Sequence, residues 1–166
     1  MISPKNTQLY NRFVGVLLGM ALLNLVVAYS ASYFFNIRPC ILCVYTRYIY
    51  IALIVIAFSA YRDLLPECIG RWLMGGILLF GTLFGIYHLG VENHWWPGTA
   101  ACYTTLDFSS LEALHSTLAT TQLARCDTVH WRLLGVSATL WNALWFVMFF
   151  IGFIVLHHCF CRKKAP

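Results

Sequence analysis

Two pairs of cysteines carry the chemistry open to this chain. Cys40 and Cys43 stand in Arg38-Pro39-Cys40-Ile41-Leu42-Cys43-Val44-Tyr45-Thr46-Arg47, where one long apolar segment ends and the next begins. Pro39 has no backbone N–H and is tolerated at a helix start, so the spacing predicts a helix beginning near Cys40. Cys40 then sits on the positive end of that helix. The unpaired amides there, equivalent to roughly half a positive charge, favour thiolate, the species that attacks disulfides. Cys43 follows one turn later on the same face. Arg47, four residues beyond Cys43, can bring its guanidinium back onto that stripe beside the sulfurs. The second pair, Cys102 and Cys126, is 24 residues apart.

Other chemistries of a Cys-x-x-Cys fit poorly. Zinc would need two further ligands, and Cys102 and Cys126 do not form a second Cys-x-x-Cys, so no metal is expected. Haem attachment fails because Val44 stands where a histidine is required, and a thioredoxin fold fails because no βαβ pattern exists. Thiol chemistry at a membrane surface remains.

The membrane follows from composition. A chain of 166 residues that is 60% hydrophobic and 10% charged, with a mean hydropathy of +0.72, has too little polar material to cover a soluble globule. Four stretches, about 13–35, 41–60, 72–90 and 133–156, reach the roughly 17 to 25 residues needed to cross a bilayer. Backbone groups in lipid must be paired internally and no barrel-like alternation appears, so the expected fold is all-α, an integral membrane four-helix bundle forming one domain over 1–166. A signal peptide is an alternative for the first stretch, which is longer than such cores and is followed by three more spans.

Charge sets the orientation. Lys5, Arg12, Arg62, Arg71, Arg162, Lys163 and Lys164 fall on one side of a four-span arrangement. Arg38, Arg47, Arg125 and Arg132 fall on the other, offset by Glu92, Asp107, Glu112 and Asp127. The positive-inside rule therefore predicts both termini in the cytoplasm, with 36–40 and 91–132 facing outward. Of the seven cysteines, Cys40, Cys43, Cys102 and Cys126 face the oxidising side, whereas Cys68, Cys159 and Cys161 face the reducing one. The net charge of +5 is explained by topology and needs no nucleic acid.

Several features are expected to serve packing. Gly15 with Gly19 and Gly81 with Gly85 form small-xxx-small steps, and Asn24 and Asn142 read as interhelical hydrogen-bond partners. Tyr45, Tyr48 and Tyr50 read as interface-belt residues, and Trp95, Trp96 and Trp131 as interface anchors. His88, about a turn from the outer surface, is either an interhelical hydrogen-bonder or a group facing a ligand cavity. In the long outer loop, Ser109 and Glu112 form a capping box. Leu111, Leu114 and Leu118 then share one face of a short amphipathic helix, about Ser110–Thr120, lying on the bilayer. A bond between Cys102 and Cys126 could simply staple that loop, contributing about 3 to 4 kcal/mol in the chain-entropy model. The tail His157-His158-Cys159-Phe160-Cys161 has no matching ligand set elsewhere on its side and reads as a basic end with incidental thiols.

Taken together, Pro39-Cys40-x-x-Cys43-x-x-x-Arg47, His88-x-Gly-Val-Glu92 with Trp96-Pro97-Gly98 before Cys102, and Arg125-Cys126-Asp127-x-x-x-Trp131-Arg132-x-Leu-Gly135 leading to Trp141-Asn142 closely resemble the bacterial disulfide bond formation protein B family, DsbB. The resemblance spans nearly the whole chain. It implies an inner-membrane enzyme that reoxidises a periplasmic thioredoxin-fold oxidase of the DsbA type and passes the electrons to a quinone, ubiquinone or menaquinone. It further implies disulfides Cys40–Cys43 and Cys102–Cys126, with Cys102 attacked by the partner's thiolate and Cys43 nearest the quinone. Arg47 and His88 become quinone-site residues. Glu92 stands where some members carry glutamine. An ordinary structural disulfide is too reducing to oxidise a DsbA-type partner, so Cys102–Cys126 must be labile or be pulled through by the quinone. The alternatives are a reductive thiol enzyme resembling vitamin K epoxide reductase, and a membrane scaffold braced by two disulfides.

Overall fold

The computed structural model describes residues 4–103, 124–129 and 131–162. Helix α1 runs Pro4–Phe34, α2 Ile41–Tyr61, α3 Glu67–Glu92 and α4 Ala138–Arg162. A 3-10 turn covers Ala100–Cys102, and two short strands, β1 (Arg132–Leu133) and β2 (Val136–Ser137), precede α4. All four helices contain spans long and apolar enough to cross a membrane, the shortest having 21 residues. At 1.5 Å per residue that is about 31 Å, the thickness of a hydrocarbon core. The predicted surface helix over 110–120, with its capping box, lies outside the described residues.

Each helix boundary has a local cause. Cys40 is the N-cap of α2, with φ −75° and ψ 167°, and its sulfur accepts a hydrogen bond from the Cys43 amide at 3.2 Å. The predicted start is thus correct to a residue, and the sulfur fills the place an N-cap oxygen usually takes. Helix α3 begins earlier than the expected 72. Pro66 caps it, and Glu67 places a carboxylate in the positive first turn while pairing with Arg71 at 3.0 Å.

The last span needs a larger correction. Residues 133–137, expected inside it, form the hairpin that pairs Arg132 with Ser137 and Leu133 with Val136. Leu134 and Gly135 both have positive φ, 54° and 80°, the signature of a tight two-residue hairpin turn that no helix tolerates. The Ser137 hydroxyl then accepts from the Leu140 amide at 3.2 Å, so α4 starts here.

The main core joins Val14, Leu17 and Ala21 of α1 to Ile49, Leu53 and Ala57 of α2, Met74 and Leu78 of α3, and Phe146 of α4. The outer faces stay apolar, as lipid requires, with Val16, Val26, Leu83 and Val55 each about three-fifths exposed. Gly81 and Gly85 do let α4 approach: a Cβ on Gly85 would lie 3.2 Å from the Ala143 Cα. Gly15 and Gly19 do not serve this way. A Cβ added at either would meet nothing within 4 Å, because α1 packs through the Val14–Leu17–Ala21 stripe instead. Tyr50, expected at the interface, is buried, and its hydroxyl donates to Asn142 Oδ1 at 2.9 Å, tying α2 to α4. Asn142 is therefore interhelical as expected, whereas Asn24 Nδ2 donates to the Met20 carbonyl within its own helix.

Candidate active site

A second buried cluster is built on Cys40, Cys102 and Cys126 with Leu42 and Val91. Helix α2 supplies its floor. From the cap position, the Cys40 sulfur lies 2.8 Å from that of Cys43, one turn into the helix. His88 reaches both from α3: its Nε2 is 3.4 Å from the Cys40 sulfur and 4.0 Å from that of Cys43. Cys40, Cys43, Cys102 and Cys126 are free thiols in this structure.

The second pair is brought in by backbone pairing. The Ala124 amide donates to the Pro39 carbonyl at 3.2 Å, forming a parallel bridge between Cys40 and Ala124. The Cys126 amide donates to the Cys102 carbonyl at 3.2 Å. These contacts hold the Cys126 sulfur in hydrogen-bond contact with those of both Cys40 and Cys102. Gly98 makes room for Cys102, since a Cβ there would lie 2.9 Å from the Cys102 Cβ. Outside the sulfurs, Arg125 binds Asp127 through two hydrogen bonds, 2.9 and 2.6 Å, and its guanidinium lies over the Tyr103 ring. That clasp joins the segments bearing the two cysteines.

The thiols are electrostatically unequal. Hydrogen bonding from Cys40, aided by Cys102 and the Leu42 amide at the start of α2, lowers the Cys126 thiol to about 6. The same Cys126–Cys40 bond raises Cys40, and burial raises Cys102. Of Cys40, Cys102 and Cys126, it is therefore Cys126 that favours the thiolate at neutral pH, flanked by a protonated donor on each side.

Beyond Cys43 lies a cavity of about 320 Å³, enclosed by α1, α2, His88 of α3, α4 and the hairpin. Apolar groups such as Leu23, Val27 and Trp145 form most of its wall, and Cys43, Arg47, His88, Tyr50 and Asn142 bring polar atoms to it. A largely apolar wall with a few polar groups is the usual make-up of a small-molecule site. Arg47 lines this cavity with Cys43, but its hydrogen bonds go to α1 and not to the sulfurs. It donates to the Ala28 carbonyl at 2.9 Å and to Ser32 Oγ at 2.6 Å, and lies 4.7 Å from the centre of the Tyr29 ring. A guanidinium at this depth must satisfy its donors, and α1 presents the acceptors.

The structure thus gathers Cys40, Cys43, His88, Cys102 and Cys126 into one contiguous set, with Arg47 lining the same cavity as Cys43 and His88 but bonded to α1. Sequence reasoning missed Tyr50 and Asn142 as cavity residues. The signal for Tyr50 was present, since it lies seven residues from Cys43 and so on the same helix face. No local pattern identified Asn142.

Residues 10–156 match the family described as Disulfide bond formation protein DsbB. The chain is 29% identical over 154 residues to a disulfide bond formation protein B of Herminiimonas arsenicoxydans, covering 87% of this chain and 91% of that one. It is 28% identical over 123 residues to the disulfide bond formation protein B of Xanthomonas oryzae pv. oryzae, covering 68% and 69%. An uncharacterized protein of Rickettsia prowazekii is 27% identical over 150 residues, covering 86% of each chain. With four membrane-spanning helices and two cysteine pairs converging on one another, the chain belongs to the DsbB family of disulfide bond formation proteins, multi-pass membrane oxidoreductases acting on disulfides.

Proposed function

We propose that this protein is a thiol:quinone oxidoreductase of the bacterial inner membrane that reoxidises a DsbA-type dithiol partner, with both termini cytoplasmic and all four cysteines outward. One observation carries the reading: the sulfurs of Cys102, Cys126, Cys40 and Cys43 form a contact path that ends on a cavity also lined by Arg47 and His88.

In the resting oxidised form the disulfides are Cys102–Cys126 and Cys40–Cys43. A partner thiolate attacks Cys102, forming a mixed disulfide and releasing Cys126 as thiolate, the state that the Leu42 amide and the neighbouring thiols favour. The partner's second thiol resolves the mixed disulfide, leaving the partner oxidised. The Cys126 thiolate stands against Cys40, so attack there breaks Cys40–Cys43 and forms Cys40–Cys126, with Cys43 leaving as thiolate. Cys102 then displaces Cys40 and restores Cys102–Cys126. The two electrons rest on Cys40 and Cys43, at the edge of the cavity.

A bound quinone would supply the acceptor for the two electrons and two protons released as the Cys40–Cys43 disulfide re-forms. His88, 3.4 Å from the Cys40 sulfur, is placed to take the thiol proton. Arg47, held by Ala28 and Ser32, gives the cavity a fixed positive charge that favours negative charge developing on Cys43 or on a carbonyl oxygen. Tyr50 and Asn142, hydrogen-bonded to each other at 2.9 Å, would offer polar atoms to a ring bound in the same cavity.

The test is optical and anaerobic: purified protein, a reduced DsbA-type partner and a soluble quinone. Wild type should reduce the quinone, whereas Cys43→Ser and Cys102→Ser should not. Failure of wild type with either ubiquinone or menaquinone analogues would defeat the reading.

A further inference from the structure

The Cys40 and Cys43 sulfurs and His88 Nε2 lie within 4.8 Å of one another, and all three are donors that soft and borderline metals prefer. We propose that the reduced protein captures a thiophilic cation, Zn²⁺, between Cys40, Cys43 and His88, and that the oxidised protein does not. The site is separate in logic from the electron path, which requires no metal. Only its consequence for turnover rests on the quinone reading.

The geometry is close to what the ion requires. Tetrahedral zinc, with Zn–S near 2.3 Å and Zn–N near 2.0 Å, spaces its ligands by about 3.8 Å for two sulfurs and about 3.5 Å for sulfur and nitrogen. The two sulfur–nitrogen separations are 3.4 and 4.0 Å, both within about half an ångström of that value. The two sulfurs, at 2.8 Å, must open by about 1 Å, a small side-chain rotation at Cys43.

Charge and burial point the same way. Two thiolates and a neutral imidazole around Zn²⁺ give a complex of no net charge, which suits a pocket walled by Leu42 and Val91. Cys40 and His88 are almost fully buried, so these donors have little water to give up on binding. Forming the Cys40–Cys43 disulfide removes both thiolates and with them the site. Capture is therefore gated by redox state, and a bound ion ties up the sulfur electrons that the quinone would receive. The reduced enzyme is held in its dithiol form until the ion leaves.

The experiment uses Co²⁺ as a coloured substitute on the full chain in detergent, with Cys68→Ser, Cys159→Ser and Cys161→Ser combined to silence the other thiols outside the cluster. After reduction by a phosphine, the expected result is a thiolate-to-cobalt absorption band saturating at one ion per chain and bleached by Zn²⁺. The same preparation, oxidised, should give no band. His88→Ala in the reduced form should weaken binding at least about tenfold, with helix content checked by circular dichroism. No thiolate band in the reduced protein, a band of equal strength after oxidation, or unchanged affinity in His88→Ala would each overturn the proposal. The reduced–oxidised comparison needs no site variant, and the assay contains neither partner nor quinone, so its failure is distinct from failure of the quinone reading.

Discussion

In the proposed relay, the exchange turns on Cys126. Its thiol is lowered to about 6 through hydrogen bonds from Cys40, Cys102 and the Leu42 amide. A group with a depressed folded-state pKa acts as thiolate above that value and loses both this role and its stabilising contribution as pH falls through it. Quinone reduction should therefore be nearly flat above neutrality and fall about tenfold per unit below about 6. A profile rising steadily to pH 9 would mean that an unperturbed thiol limits the rate. Arg47 belongs at the same scale. Its charged hydrogen bonds to Ala28 and Ser32 fix one wall of the cavity, and such bonds are worth about 1.5 to 3 kcal/mol each. Arg47→Ala should raise KM for quinone by roughly 10- to 100-fold while partner-dependent exchange among the cysteines continues, read by thiol trapping.

At the scale of elements, the bundle depends on where helices touch. A Cβ on Gly85 would lie 3.2 Å from the Ala143 Cα, whereas one on Gly15 would meet nothing within 4 Å. Gly85→Val should force α3 and α4 apart and destabilise the protein by about 1 to 3 kcal/mol. Gly15→Val should leave thermal unfolding in detergent unchanged. Equal effects would mean that α1 packs differently. These two pairs also show what was legible beforehand. The small-xxx-small pattern is the same in both helices, so the sequence could not say which pair meets a neighbour. The start of α2 was readable because proline and helix polarity act locally. The hairpin was not, because Leu133, Leu134 and Val136 are apolar enough to extend a span, and only backbone geometry at Leu134 and Gly135 reveals the turn. Within the site, the Cys-x-x-Cys and Arg47 stood out by spacing. The docking of Arg47 on α1 depends on a contact 15 residues and more away, which no local pattern encodes.

For the whole molecule, the functional groups gather at one end of the bundle. The thiol cluster caps α2, and Cys43 and His88 also line the cavity between the helices. Cys68, exposed at the start of α3, lies at the opposite end of the helices. If both termini are cytoplasmic, a membrane-impermeant maleimide should label Cys68 only in permeabilised cells. Labelling in intact cells would invert the topology and separate the cysteine pairs from any periplasmic partner. In the proposed relay the four sulfurs act as one path with its hand-over between Cys126 and Cys40. The most direct measurement is disulfide mapping by mass spectrometry of the Cys43→Ser protein isolated under oxidising conditions. With its natural acceptor gone, Cys40 should be found joined to Cys126, leaving Cys102 free. Recovery of Cys102–Cys126 with Cys40 as an unpaired thiol would contradict the hand-over.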